Sequence, residues 1–269
     1  MLCHQLRSKG DVAFDEISAV VPWIELADDL GQDLDALQPG GPPRLFKTHC
    51  WFEHCPQAPG VKYVVGVRDP EDVVLSFFNF MDGWMVWPAG GVDFETFARE
   101  FFLNRGLPTS KMQNASYWHH LVSWWARVDN PDVCFVLFED LKEDLERETR
   151  RVARFLGFSP DDPDWVERIA VAVKHSSFDY MAAHRTQFDE HLTRAARNGP
   201  MGLPPEAGAQ TTKVRQGTVG GARAVLSDGL RAELQRRWEE VVTPALGFKS
   251  YGELLQHHRD RVRKKGETV

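Results

Sequence analysis

The stretch from Arg44 to Phe80, RLFKTHCWFEHCPQAPGVKYVVGVRDPEDVVLSFFNF, constrains the fold more than any other part of the chain. It contains two short apolar segments, each of which ends in polar or charged residues. The first is a predicted strand over residues 44–46 that delivers Lys47 and His49. The second is a predicted strand over residues 62–67, rich in β-branched residues and preceded by a Pro- and Gly-containing loop.

A helix is predicted directly after the second strand. Asp69 is placed to cap it and Pro70 occupies its first turn, with acidic residues close behind. Arg68 stands at the strand end, and Ser76 lies two turns into the helix. A cation at the carboxyl end of a strand, at the mouth of a helix, is typical of an anion site on an α/β sheet.

Composition excludes several classes of protein. A chain of 269 residues with 42% hydrophobic and 26% charged residues can bury the core of one α/β domain. The net charge of −7 argues against nucleic-acid binding. There is no long apolar run to span a membrane and no secretory signal at the start. The four cysteines are too few for a disulfide scaffold and lack metal-ligand spacing, so we expect reduced thiols, no metal and a cytoplasmic location.

The polar residues of this stretch are candidates for chemistry on an anionic substrate. His49 is the candidate general base, because a neutral imidazole can take a hydroxyl proton near neutral pH. Lys47 would stabilise charge on a transferring group. Arg68 and Ser76 form a candidate phosphate site, a guanidinium fork plus a hydroxyl. The alternative is a set of solvated surface residues, which is the usual role of a lone lysine or arginine.

Three features, in this order, resemble the cytosolic sulfotransferase family. They are Lys-Thr-His after a strand, Arg68 followed eight residues later by Ser76, and the segment VRQGTVGG over residues 214–221. The resemblance covers nearly the whole chain. It implies a P-loop NTPase-like sulfotransferase fold, a single α/β domain over residues 1–258 with a central parallel sheet flanked by helices. Residues 259–269 are expected to be a disordered, basic polar tail.

The resemblance also implies the substrates. The sulfuryl donor would be PAPS (3′-phosphoadenylyl sulfate), and adenosine 3′,5′-bisphosphate would be the product, without a metal. Relatives carry a loop of the form PKSGTTW before a helix like the one predicted near the start of this chain. No such loop occurs in this sequence, so we expect the first strand and the phosphate loop to be missing.

The family's functional residues transfer to this chain position by position. Catalysis would fall to His49 and Lys47. The cofactor-binding residues would be Arg68, Ser76, Ser176, Phe178, Arg215, Gln216 and Gly217. Among them, Gln216 replaces a lysine and weakens one phosphate contact, and Gly217 lets the backbone approach closely. Phe138 stands where a tyrosine is usual and can stack on the adenine without a hydrogen bond.

The predicted reaction is sulfuryl transfer from PAPS to a hydroxyl or amine of a small-molecule acceptor. The acceptor cleft is expected near Phe80 and Trp84, and residues 184–212 are expected to form a mobile lid or to be disordered. A homodimer is left open as an assembly. The alternative function is a non-catalytic, nucleotide-binding relative that has lost its phosphate loop. A nucleoside kinase of the P-loop type is disfavoured, because no GxxxxGK[ST] motif occurs.

Overall fold

The structure is a computed structural model that describes residues 1–111 and 113–266. The strands are β1 (Tyr63–Val67) and β2 (Val133–Leu137). The α-helices among these residues are α1 (Leu2–Ser8), α2 (Ile17–Val20), α3 (Pro70–Met81), α4 (Phe94–Thr96), α5 (Tyr117–Trp125), α6 (Phe138–Glu143), α7 (Leu145–Leu156), α8 (Trp165–Ser176), α9 (Phe178–Ala183), α10 (His191–Arg197), α11 (Asp228–Leu246) and α12 (Tyr251–Lys264). A π-helical segment covers Phe97–Leu103, and 3-10 turns cover Ile24–Leu26, Phe52–His54, Arg185–Phe188 and Gly221–Ala224.

The chain divides into two compact units. The first unit comprises Met1–Thr48, Asn79–Val92 and Val152–Gly217, and the second comprises His49–Phe78, Asp93–Arg151 and Thr218–Val269. Each unit has buried apolar residues of its own.

The second unit contains the sheet. β1 and β2 pair in parallel, with Tyr63 opposite Val133 and Val67 opposite Leu137. Every residue of β2 is buried, which is typical of a parallel strand covered on both faces. The predicted α/β class with a parallel sheet is therefore confirmed, and the predicted strand 62–67 is found within one residue of its expected ends.

Helices α5 and α11 supply much of the second unit's core. Trp118 and Leu121 of α5 and Leu230 and Trp238 of α11 are at most 1% exposed. Their spacing of three and eight residues, respectively, places each pair on one helical face. Serine caps define where these helices begin: Ser227, for example, accepts the N–H of Leu230 at 3.2 Å.

The first unit is helical. α1 packs against α8, and Leu6 and Ile169 are buried in that contact region. The guanidinium of Arg168 donates to the carbonyl of Leu6 and pairs with Asp164 at 2.7 Å. Trp84, also buried, donates its indole N–H to the side-chain oxygen of Asn198 at 2.9 Å.

The predicted strand over residues 44–46 is wrong. Only an isolated parallel bridge between Trp23 and Lys47 forms there. The side-chain amide of Gln38 explains the difference, because it accepts the N–H of Leu45 at 2.7 Å and donates to the Leu45 carbonyl at 2.8 Å. A side chain thus takes the backbone groups that a neighbouring strand would use.

Residues 184–212 are folded, which corrects the prediction of a disordered segment, whereas the alternative of a mobile lid stays a prediction. They contain the 3-10 turn Arg185–Phe188 and helix α10, and Thr193 and Asn198 are buried. The side-chain amide of Asn198 donates to the carbonyl of Ala207 at 2.9 Å. Such satisfied buried polar groups fix a segment in place although its composition is polar.

The predicted disordered tail is wrong for its first half. Residues 259–264 continue α12, and Arg259 pairs with Asp140 and Glu143, each at 2.6 Å. Residues 267–269 lie outside the described residues. In the described ranges, no helix has the length and apolar character needed to cross a membrane.

Candidate functional site

The predicted site residues are distributed over both units. The first unit contains Lys47, Ser176, Phe178, Arg215, Gln216 and Gly217, and the second contains His49, Arg68 and Ser76. Convergence of the two groups on one donor stays a prediction. Within each unit, however, the structure brings several of them together.

Arg68 leaves the end of β1 and is held by its own unit. Its guanidinium Nη2 lies 3.1 Å from Asp72 Oδ2 and donates to the carbonyl of Thr218 at 2.8 Å. The guanidinium carbon lies 4.2 Å from the ring centroid of Phe138, so that ring already has a cation over one face. Nε of Arg68 is buried and has no hydrogen-bond partner within residues 1–111 and 113–266. An unsatisfied charged donor of this kind suits an additional acceptor oxygen.

The sequence analysis did not identify Asp72, whose carboxylate binds several groups around Arg68. Its buried carboxylate accepts the backbone N–H groups of Gly220 at 2.8 Å and Ala222 at 3.0 Å, besides pairing with Arg68. One carboxylate therefore ties the segment after Gly217 to the start of α3. The available signal was its position four residues after Arg68, the spacing of neighbours on one helix face.

The turn between β1 and α3 is held in place by hydrogen bonds to polar side chains. Tyr117 donates its hydroxyl to the carbonyl of Arg68 at 2.7 Å, and Glu139 accepts the N–H of Asp69 at 3.2 Å and the hydroxyl of Tyr251 at 2.5 Å. Burial raises the pKa of Asp69 to about 6 and the pKa of Tyr117 well above its ordinary value. These groups position the backbone that carries Arg68.

Ser76 and His49 are both exposed. Ser76 lies one turn beyond Asp72 on α3 and hence on the same side of the helix as the Arg68–Asp72 pair. The role of His49 as general base stays a prediction.

In the first unit, three predicted cofactor-binding residues lie together. Gly217 has φ 62°, and a Cβ at that position would lie 2.8 Å from Cε2 of Phe178, closer than real Cβ atoms approach. The backbone at Gly217 therefore packs on the ring of Phe178 in a way only glycine permits. Ser176 ends α8 two residues before Phe178, and its buried hydroxyl lacks a hydrogen-bond partner in the described part of the chain.

These features fit a nucleotide with phosphate groups. The backbone of Gly217 packs on the ring of Phe178, and the unsatisfied buried hydroxyl of Ser176 lies two residues before that ring. The exposed Arg215 and Gln216 precede Gly217 directly. Guanidinium and hydroxyl groups are the donors that phosphate oxygens prefer.

Lys47 belongs to a lysine–glutamate cluster that the sequence did not reveal, made of Lys47, Glu190 and Lys213. Lys47 Nζ lies 3.0 Å from Glu190 Oε1 and 3.7 Å from the ring centroid of Trp23. The ammonium group of Lys213 pairs with the same oxygen of Glu190. Glu190 lies 143 residues from Lys47 along the chain, so no local pattern could have found it.

Electrostatics in the cluster favour an ionised carboxylate. Burial by itself would raise the pKa of Glu190, but the charges of Lys213 and Lys47 outweigh it and lower this pKa to about 2. Removal of its ammonium group from water, together with repulsion from Lys47, lowers the pKa of Lys213 to about 8. Glu190 also has φ 63°, a left-handed conformation uncommon for a non-glycine residue.

Comparison with known proteins identifies the family of this chain. Residues 2–244 match the family model of the sulfotransferase domain. Luciferin sulfotransferase of Photinus pyralis is 28% identical over 234 residues, covering 82% of this chain and 55% of the relative. Sulfotransferase 1E1 of Homo sapiens is 30% identical over 179 residues, covering 65% of this chain and 56% of the relative. The chain spans about half the length of the curated relatives it matches.

Two solved structures show the shared fold. Retinol dehydratase in a complex with retinol and PAP superposes with a TM-score of 0.63 at 20% identity, covering 90% of this chain and 77% of that chain. Mouse sulfotransferase SULT7A1 complexed with PAP gives a TM-score of 0.54 at 19% identity, covering 88% and 89%. Given the family match over most of its residues and the fold it shares with a solved sulfotransferase, this chain belongs to the sulfotransferase domain family.

Proposed function

We propose that the protein transfers a sulfuryl group from PAPS to a hydroxyl or amine of a small acceptor. The observation that carries this proposal is the family match over residues 2–244. It is supported by the close packing of Gly217 on Phe178, by the unsatisfied hydroxyl of Ser176 and by the unsatisfied Nε of Arg68. Similar structures contain PAP, which is adenosine 3′,5′-bisphosphate, and this supports the same nucleotide here.

In this proposal the predicted residues bind different parts of one donor. Phe178 packs against the base and Gly217 admits the backbone to the nucleotide. Arg68, Ser76 and Arg215 bind the 3′-phosphate, which favours PAPS over ATP because ATP has no phosphate there. Ser176 donates its hydroxyl, and Gln216 contributes a weaker neutral contact.

The donor supplies a sulfuryl group on a phosphate leaving group. His49 accepts the proton of the acceptor hydroxyl while the oxygen–sulfur bond forms and the bond from sulfur to the bridging oxygen breaks. Lys47, two residues before His49 in the chain, neutralises the charge that develops on that bridging oxygen. The product adenosine 3′,5′-bisphosphate then leaves.

The acceptor is proposed to be a small molecule with an apolar body. One similar protein is named a luciferin sulfotransferase, and similar structures contain retinol or androsterone. In the first unit, the partly exposed aromatic side chains of Phe80 and Trp23 could contact such a body, whereas Trp84, which was expected near the acceptor, is buried.

A second candidate is a relative that binds the nucleotide without transferring sulfate. The specific observation in its favour is that the unsatisfied Nε of Arg68 and the unsatisfied hydroxyl of Ser176 could bind a nucleotide whether or not transfer follows. Calorimetry with adenosine 3′,5′-bisphosphate and a turnover assay separate the two candidates, since binding without turnover favours the second and absence of binding disfavours both.

The test is transfer of radiolabelled sulfate from PAPS to a panel of phenols, alcohols and amines. We expect turnover by the wild type and its loss, by at least about a hundredfold, in His49→Ala, since general bases contribute about 10²–10⁴-fold. Binding of adenosine 3′,5′-bisphosphate should be intact in this variant.

His54→Ala is the matched control. His54 ends the 3-10 turn Phe52–His54 and packs edge-on against Trp51, with ring centroids 5.4 Å apart. Its replacement should leave turnover unchanged. A fully active His49→Ala would overturn the assignment of the base.

A further inference from the structure

Lys213 is a second ammonium group beside Lys47, and the proposed reaction gives it no role. Both ammonium groups contact the same oxygen of Glu190, Oε1. The other oxygen, Oε2, accepts the hydroxyl of Thr193 at 2.9 Å. Glu190 is therefore fully engaged, with a side chain that is only 3% exposed.

The cluster has one more positive charge than negative. Two ammonium groups share a single carboxylate, and their mutual repulsion contributes to the lowered pKa of Lys213. The side chain of Lys213 is 35% exposed, whereas Glu190 is closed to solvent. An anionic group that approached from the exposed side of Lys213 would complete the charge balance of the cluster.

The surroundings of Lys213 are aromatic. Its ammonium nitrogen lies 5.1 Å from the ring centroid of Phe80 and 5.9 Å from that of Trp23, and Lys47 lies over Trp23 as well. Trp23 and Phe80 are both partly exposed. A cation flanked by accessible rings matches a ligand that joins an apolar ring to an anionic oxygen group.

We propose that Lys213 determines acceptor specificity by binding an anionic oxygen group, such as a carboxylate, on an acceptor whose ring lies against Trp23 and Phe80. The preferred acceptors are then acidic phenols or acidic aromatic alcohols, in contrast to neutral ones. This inference rests on the proposed function, because it names the substrate class of the same site.

The test compares two phenols of nearly equal shape, 4-hydroxyphenylacetate and its neutral amide, 4-hydroxyphenylacetamide. Calorimetry measures their affinity for the full chain, with and without saturating adenosine 3′,5′-bisphosphate. The acid should bind at least about tenfold more tightly than the amide, which corresponds to about 1.4 kcal/mol. Lys213→Met should abolish this ratio, and Lys213→Arg should retain most of it.

Lys249→Met is the control for loss of a positive charge, because Lys249 is exposed and belongs to the other unit. It should keep the wild-type ratio. If Lys213→Met does not fold, the ratio measured on the wild type decides: equal affinity for acid and amide, or no binding of either, overturns the proposal.

Two outcomes separate this inference from the proposed function. Sulfate transfer to the amide at the same kcat/KM as to the acid overturns the inference and leaves the function standing. A preference for the acid in binding, with no transfer from PAPS, overturns the function and supports the inference. Loss of PAPS affinity in Lys213→Met with an unchanged acid-to-amide ratio assigns Lys213 to the donor and also overturns the proposal.

Discussion

Ser176 and Ser177 are neighbours with opposite roles. The hydroxyl of Ser176 is buried without a partner among the described residues, whereas that of Ser177 caps α9 by accepting the N–H of Tyr180 at 3.2 Å. An unsatisfied buried hydroxyl costs stability until a ligand uses it. We therefore expect Ser176→Ala to leave the unfolding free energy unchanged or raised, and to weaken binding of adenosine 3′,5′-bisphosphate about tenfold.

Ser177→Ala is the matched variant, and it should cost about 1 kcal/mol of stability through loss of the cap. Urea unfolding and calorimetry on both variants measure the two effects. A Ser176→Ala protein with lower stability and unchanged nucleotide affinity would contradict the assignment of Ser176 to the nucleotide.

Glu190 should make stability depend on pH. Its ordinary pKa of 4.5 is lowered to about 2 in the folded protein. A carboxyl group with a lowered folded pKa stabilises the fold above its unfolded pKa, and this contribution is lost as the pH falls towards the folded pKa. We expect Glu190→Gln to lose about 3 kcal/mol at neutral pH, the range for breaking a buried ion pair.

Urea unfolding of wild type and Glu190→Gln between pH 7 and pH 3 measures this effect. The difference between the two proteins should shrink as the pH falls below 4.5, the ordinary pKa of the group. Glu206→Gln, which removes an exposed carboxylate in the same unit, should show no such difference. A pH-independent difference would mean that Glu190 acts through packing rather than charge.

At this scale the sequence predicts residues that stand in local motifs. Lys47, His49 and Arg68 are recognisable because each follows an apolar segment in a short pattern. Glu190 and Lys213 are not, since the contact with Lys47 spans 143 residues and their own neighbours contain no motif. Pairing over such distances is decided by the tertiary fold.

Among the structural elements, the turn at Gly217 has the strictest requirement for glycine. Gly217 and Gly220 both have positive φ, 62° and 72°, but a Cβ at Gly220 would meet nothing within 4 Å. Alanine should cost about 1 kcal/mol at Gly220 from backbone strain. At Gly217 the clash with Phe178 should add about 1–3 kcal/mol.

Thermal unfolding of both variants tests this difference, and binding of adenosine 3′,5′-bisphosphate should fall only in Gly217→Ala. Adding Phe178→Leu to Gly217→Ala should recover part of the lost stability, because the smaller side chain makes room for the new methyl group. If both alanine variants lost the same unfolding free energy, a steric clash between Phe178 and a side chain at position 217 would be contradicted.

Helices and strands with capping residues and a regular spacing of apolar residues could be predicted from the sequence. Segments whose conformation depends on a side chain from another part of the chain could not. β2 and α5 carry such local signals, a run of apolar residues in β2 and a serine cap in α5. The strand expected at residues 44–46 was wrong, because Gln38 takes the backbone groups of Leu45. Folding of residues 184–212 depends likewise on Asn198, which binds Trp84 and Ala207.

For the whole molecule, the central prediction is that Arg68, Ser76 and Arg215, which are far apart in the sequence, bind the phosphate of one nucleotide. If both arginines bind the 3′-phosphate, each should contribute to the preference for adenosine 3′,5′-bisphosphate over 5′-AMP, which lacks that group. We expect Arg68→Lys and Arg215→Lys each to reduce this preference about tenfold, because lysine cannot form the two-pronged contact.

The double variant distinguishes a shared phosphate from two separate sites. Groups that bind the same phosphate are coupled, so the free-energy loss in Arg68→Lys/Arg215→Lys should differ from the sum of the two single losses by more than about 0.5 kcal/mol. Arg68→Lys keeps a cation beside the buried Asp72 and so avoids an unpaired carboxylate. Arg223→Lys, at an exposed position, should leave the preference unchanged. Strictly additive losses, or an unchanged preference in either single variant, would contradict the proposal that the two arginines bind the same phosphate.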